Sequence, residues 1–273
     1  MGQKRQDSGV GSEGGLANMD QPSNLSPSHA RDLLLLLLAA TSGYVDAVSY
    51  LGLGQVFTSN MTGNTVLLGL ALGQAQGLAA LRSAVALAGF LCGVAIGASI
   101  VRQEKSEDAW PFPVTAALGL EMVALVAFAI VWGFARTAPS EGAIYLLIAL
   151  AALAMGSQSV SVRSLGVKGV TTTYITGTWT SLVSGLVRHV HCARSHRDQE
   201  KQTQSPAQGT GLQAAVLAVY IPAAVAGSVA ETHLHLVAGI LPVLAVGLVV
   251  AAACLRFHYQ RGTRTRRNQT KAE

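Results

Sequence analysis

Charge is scarce in this sequence. Asp, Glu, Lys and Arg make up 12% of its 273 residues, against about 25% in an ordinary soluble domain. The charges are also unevenly spread, with only Asp46 and Arg82 between Leu33 and Val101. Comparable stretches run from Pro113 to Phe134, Gly142 to Val162 and Leu234 to Leu255. Each is long enough, at about 1.5 Å per residue, to cross a hydrocarbon core of roughly 30 Å. A soluble bundle needs a polar face on its outer helices, and these segments offer none. The chain therefore reads as an all-α polytopic membrane protein, in keeping with a mean hydropathy of +0.41.

Cysteine is scarce as well. Cys92, Cys192 and Cys254 give neither a disulfide framework nor a tetrahedral metal set. Paired nucleophile and base, phosphate loop and HExxH motif are all missing, and Gly52-Leu53-Gly54 lacks the strand and helix context of a dinucleotide turn. No catalytic, cofactor-binding or metal-binding residues are assigned, and an enzyme is disfavoured. The HVHCARSH run places His189, His191, Cys192 and His196 in a basic segment, but their spacing matches no specific zinc site. The Leu33–Leu38 run resembles the core of a secretory leader. The long segment before it and the repeated spans after it argue against cleavage.

What is present is a series of eight hydrophobic segments: about Leu33–Gly54, Met61–Ala80, Ser83–Val101, Pro113–Ala135, Gly142–Val162, Thr172–Val187, Leu212–Ala230 and Leu234–Leu255. They form one membrane domain, residues 31–256, with candidate halves 33–135 and 142–255. Residues 1–30 read as a disordered cytosolic tail, 188–211 as a basic cytosolic loop and 257–273 as a basic cytosolic tail. The third segment spaces Gly89, Gly93 and Gly97 four apart, a smooth stripe suited to close helix packing. The second and sixth are the odd ones, short in their apolar part and rich in hydroxyl and amide side chains.

An offset of 114 residues brings those two into register. Leu51, Gly52, Val56, Thr58, Thr62, Gly63, Leu68 and Leu72 fall on the identical Leu165, Gly166, Val170, Thr172, Thr176, Gly177, Leu182 and Leu186. Two topologies remain open. If all eight segments cross, the halves are parallel and Arg102, Lys105, Arg163 and Lys168 lie outside. If the second and sixth are re-entrant, those residues move inside, Arg82 and Arg136 move outside, and the halves are inverted. Positive-inside bias favours the inverted arrangement, with both termini cytoplasmic.

Polar clusters stand where the second and sixth segments start. The first has Thr58, Ser59, Asn60, Thr62, Gly63 and Asn64; the second has Thr171, Thr172, Thr173, Tyr174, Thr176, Gly177 and Thr178. Such starts either receive an anion on free N–H groups or are ordinary helix caps. Asp46 and Glu121 lie inside apolar windows, where a charge is expensive unless paired, hydrated or neutralised. Arg163 is a candidate partner for either. A structural pair and a proton-coupling or solute-contacting carboxylate are the competing explanations. Gln158 and Ser161 add polarity to the fifth segment, and His233 and His235 flank a short turn beside Glu231.

The stretch SGYVDAVSYLGLGQVFTSNMTGNTVLLG, Ser42 to Gly69, resembles the signature of the YoaK-like family of bacterial inner-membrane proteins, a domain-of-unknown-function group. The likeness spans about Leu33 to Leu255 and is sharpest at Gly43, Asp46, Ser49, Phe57, Asn60, Met61, Thr62, Gly63 and Asn64, with Thr176-Gly177 as the later echo. It implies a multi-pass protein of the bacterial inner membrane and no particular substrate or reaction. Tyr174 and Thr178 stand where the first half has Asn60 and Asn64, so a duplicated site is asymmetric. The leading expectation is a small-solute permease or secondary transporter for an anionic metabolite with proton coupling. Asp46, Asn60, Thr62, Gly63, Asn64, Glu121, Tyr174, Thr176 and Gly177 would line or support its site. The alternative is a membrane scaffold or sensor. Expected partners are lipids, anionic headgroups near the basic loops, a small solute and a second copy of the chain; nucleic acid and cofactors are not expected.

Overall fold

The computed structural model describes residues 26–101, 109–135, 140–167, 175–194 and 207–259. The sequence-derived tails, apart from residues 26–30 and 257–259, fall outside them, as do Arg102, Lys105, Arg136, Lys168 and Thr171–Tyr174. Within the described residues the fold is all helical: α1 Pro27–Gly52, α2 Met61–Gly73, α3 Gly77–Ile100, α4 Phe112–Ala135, α5 Glu141–Ser164, α6 Ile175–Arg194, α7 Ala207–His233 and α8 His235–Ala253, the last continuing as a π turn, Cys254–Tyr259. Six are long and apolar enough to cross a membrane: α1, α3, α4, α5, α7 and α8.

Local chemistry sets the ends. Ser26 caps α1 with Pro27 in its first turn. Gly54 and Gln55, both at positive φ, turn the chain out of α1. The second helix stops at Gly73, where its clean apolar run ends and short of the Ala80 bound of the segment, because Ala75 at positive φ closes a turn in which Gln76 N–H bonds the carbonyl of Ala71. Leu78–Ala80 thus belong to α3. The sixth helix is longer than expected, since residues 188–194 continue α6 and 207–211 open α7. The side chains of 188–206, with the His and Cys of the basic run, lie outside the described residues.

Two parallel helix pairs pack most closely. Along α3, Gly89, Gly93 and Gly97 meet Ala149, Leu153 and Ser157 of α5 in step, and Gly156 returns against Phe90. Along α1, Gly43 lies against Tyr220 of α7, and Gly227 lies against Tyr44. A Cβ at Gly43 would sit 2.6 Å from the Tyr220 carbonyl oxygen, and one at Gly227 would sit 2.5 Å from that of Tyr44. Backbones approach this closely only where a side chain is missing, as membrane helices without a hydrophobic drive to associate require.

Exchanging α1 with α5, α2 with α6, α3 with α7 and α4 with α8 leaves the principal interhelical packing unchanged. The α3–α5 contact becomes α7–α1, α4–α5 becomes α8–α1, α2–α3 becomes α6–α7 and α3–α4 becomes α7–α8, while α4–α8 and α1–α5 map onto themselves. The mates run in opposite directions. Gly239 and Gly247 of α8 meet Trp132 and Met122 of α4 in reversed order. Ser42 of α1 contacts Met155 of α5, and Leu38 contacts Gln158. That is the packing expected of the inverted arrangement. Consistently, α1 finishes and α3 begins at the same end of the bundle, where Gly54 touches Arg82 and Arg82 pairs with Glu141 at 3.2 Å.

The polarity of inside and outside matches a hydrocarbon solvent. Leu72, Leu91, Val123, Phe134, Leu244 and Leu248 are all more than half exposed, whereas Ser42, Glu121, Ser157, Gln158 and Ser161 are fully buried among Leu35, Leu38, Leu118, Leu125 and Ile148. In water that distribution would expose large apolar surface without recompense. In a bilayer it places polar groups where other helices can satisfy them.

Candidate functional site

The site is built where α2 starts. After α1 the chain turns back into the bundle as residues 53–60, which are not helical and must find partners for their backbone away from water. Asp46, 4% exposed on α1, supplies them. One carboxylate oxygen accepts the N–H groups of Thr58 at 2.8 Å and Ser59 at 2.7 Å. The other accepts the Ser59 hydroxyl and, at 3.0 Å, the Tyr220 hydroxyl from α7. Asn64, fully buried in the first turn of α2, accepts from the N–H of Phe57 at 2.9 Å and donates to its carbonyl. Ser49 and Thr58 share a hydroxyl contact, and Tyr50 stacks on Phe57 at 5.0 Å. Asn60 caps the helix by accepting from Gly63 N–H at 3.2 Å.

These bonds decide part of what sequence left open. Asp46 binds the segment before α2 and Tyr220, while Arg163 stands exposed at the far end of α5. Glu121 is fully buried in α4, and neither of its oxygens has a hydrogen-bond partner. Neither carboxyl pairs with Arg163. The anion position on the N–H groups just before α2 is filled by the protein's own carboxylate.

The second half repeats part of this plan. Thr178, the repeat mate of Asn64, is fully buried, while Thr176, like Thr62, is exposed. Gly177 is half-buried, as is Gly63, where a Cβ would meet Phe57 and Asn60 at about 3 Å. Tyr174 lies outside the described residues. Ile175 at the start of α6 packs in a cluster with Leu36 and Ala39 of α1 and Leu212 and Val216 of α7. The two helix starts thus lie along the same pair of long helices, α2's at Asp46 and Tyr220 and α6's at Ala39 and Val216. Ala39 and Asp46 are separated along α1 by about 10 Å at 1.5 Å per residue. Between them lie the buried Thr41 and Ser42, and Ser42 accepts from the Gln158 amide at 2.9 Å.

Sequence reasoning missed Tyr220, whose only signal was a hydroxyl in an apolar run two residues before Pro222. At the turn where sequence sets His235 beside Glu231, the structure adds Trp132: its Nε1 donates to the carbonyl of His235 at 2.9 Å, and Glu231 lies 3.8 Å from His235 Nδ1. A cavity of about 290 Å³ opens beside them, lined by Gly52, Leu53, Trp132, Ser140, Ile144 and Glu231 among others.

Comparison with known proteins agrees with this architecture. Residues 34–254 match the family described as "Protein of unknown function (DUF1275)". The UPF0700 transmembrane protein YoaK of Bacillus subtilis (strain 168) is 35% identical over 223 residues, covering 81% of this chain and 94% of that protein. No solved structure matches. Six apolar spans and the matched relative describe a multi-pass protein of the bacterial inner membrane. The chain belongs to the YoaK-like DUF1275 family of bacterial membrane proteins.

Proposed function

We propose that this protein is a small-solute permease of the secondary-transporter type, with its solute site between the starts of α2 and α6. One observation carries the reading. In an inverted repeat, two helices from opposite halves begin inside the bundle on the same α1–α7 pair, the plan by which many secondary transporters build a midplane site. Thr62 and Thr176, exposed in the first turns of those helices, and Asn60 beside Thr62 are the side chains offered to a solute. Asp46, Gly63 and Asn64 support the first helix start; Gly177 does so in the second. Because Asp46 fills the N–H groups before α2, an anionic part of the solute belongs at the start of α6, where the positive end of a helix faces inward.

The test is uptake into proteoliposomes holding the full chain, screened with small carboxylates and phosphates with and without an imposed proton gradient. Saturable uptake or exchange, weakened by Thr62→Val and Thr176→Val, is the expected result. A folded preparation that neither takes up nor exchanges any solute of the panel overturns the reading.

A further inference from the structure

We propose that Glu121 is a proton-binding site inside the bundle and, resting on the transporter reading above, the group through which solute movement is coupled to a proton. Glu121 occupies the middle of the buried stripe of α4, between Leu118 and Leu125, and has no accessible surface. Both carboxyl oxygens lack a hydrogen-bond partner. The helices packed on α4 are α3, α5 and α8. Their titratable groups among the described residues lie elsewhere. Arg82 and Glu141 pair with each other at one end of the bundle, Tyr145 is in the first turns of α5, and Arg163 is exposed at its last turn. His235 opens α8, Cys92 is exposed, and Cys254, exposed, and Arg256 lie in the π turn beyond the end of α8. No cation faces Glu121 from any of these helices.

An ionised carboxyl there would lose its hydration with nothing in exchange. A metal ion would need several further oxygen ligands, and the adjoining buried positions, Leu118, Ala124 and Leu125, provide aliphatic side chains. A proton is the neutralising species that fits: it adds to one carboxylate oxygen and leaves from it, with no other bond made or broken. Asp46 is unsuited to the same task, because protonation would remove acceptors from the four donors that hold the start of α2.

Position makes Glu121 more than a buried oddity. Its neighbour Met122 packs on Gly247 of α8, at the seam where the inverted halves cross. When one half rocks against the other, that seam is the surface whose hydration changes. The corresponding stripe of α8 is apolar throughout, with Ala238, Pro242, Val246, Val249 and Ala253 at its buried positions. The proton site is therefore single, and leucine at position 121 would have filled the space without one.

Infrared spectroscopy of the full chain in lipid vesicles tests the proton site without any solute. A protonated-carboxyl C=O band, shifted in deuterated buffer and lost in Glu121→Gln, is expected, and wild-type and Glu121→Gln spectra that coincide in this region overturn the proposal. Uptake assays test the coupling. Glu121→Gln should lose gradient-driven accumulation and keep solute exchange, and Glu121→Asp should retain both; accumulation by Glu121→Gln at the wild-type level overturns coupling. If the wild type moves no solute while the Glu121 band is present, the transporter reading fails and the proton site stands.

Discussion

Asp46 and Glu121 obey the same sequence rule and live in opposite surroundings. Each is one carboxyl in an apolar helix, and from the sequence either could pair with Arg163. In the structure Asp46 accepts from two N–H groups and two hydroxyls, whereas Glu121 accepts from none. The difference comes from the chain around them. Asp46 faces a segment that has left helical geometry and brings unsatisfied donors, while Glu121 faces regular helices whose N–H groups are already bonded. A buried carboxyl is thus structural where backbone irregularity supplies its partners, and free for other work where it does not.

The sharpest way to break this comparison is to remove each carboxyl in turn. Asp46→Leu strands the Thr58 and Ser59 N–H groups together with two hydroxyls, and should destabilise the protein by about 3–5 kcal/mol. Glu121→Leu removes a group with no partners and should be neutral or stabilising, by about 1 kcal/mol. Reversible unfolding in mixed micelles, followed by circular dichroism, measures both. Equal losses at the two positions would mean that Glu121 has partners of its own.

Asn64 and Thr178 extend the comparison to the two halves. Asn64 is bonded to both the N–H and the carbonyl of Phe57, so Asn64→Ala should cost about 2–3 kcal/mol and expose the loop before α2 to hydrogen exchange. Threonine accepts and donates through one hydroxyl oxygen, whereas the amide of asparagine spans two backbone groups with separate acceptor and donor atoms. Thr178→Ala should cost about 1 kcal/mol, with exchange protection lost less widely. A larger loss at Thr178 would make the second half the more tightly built one.

A smaller effect is expected where Asp46 keeps most of its donors. Tyr220→Phe removes one hydroxyl from the carboxylate and leaves the ring in place against Gly43, so the loss should be about 1–2 kcal/mol in the same unfolding measurement. Paired with Asp46→Asn in a double-mutant cycle, it should show a coupling of at least 0.5 kcal/mol. Additivity would place Tyr220 outside the cluster.

How much of this was legible beforehand differs from element to element. The spans could be read because hydrocarbon imposes composition on a long window, and the glycine stripe at 89, 93 and 97 could be read because close packing imposes spacing. The identity of Thr62-Gly63 with Thr176-Gly177 pointed to a duplication. Its inversion rested on loop charge alone until the reversed contacts of Trp132 and Met122 along α8 gave the helix directions. The partners of Asp46 were illegible for a plain reason. Its bonds join positions 12, 13 and 174 residues away, and two of them use backbone N–H groups that every residue but proline has. The one signal Tyr220 carried was ambiguous, because a hydroxyl in an apolar helix is equally compatible with a lipid-facing or an inward position.

The smallest expected effect is also the most discriminating. Glutamine has nearly the shape of a protonated glutamic acid and, like it, one carbonyl acceptor and at least one donor, so Glu121→Gln changes little if the carboxyl of the resting protein is neutral. Stability should then stay within about 0.5 kcal/mol of wild type. If instead the group were ionised and held by a counter-charge, the same substitution would leave that counter-charge buried and alone, at a cost of about 3–5 kcal/mol. One unfolding curve for Glu121→Gln beside one for Asp46→Asn therefore separates the two buried carboxyls by the state each is in. Asp46→Asn is expected to fall well below wild type, because an amide turns an NH₂ donor toward donors that were bonded to a carboxylate oxygen.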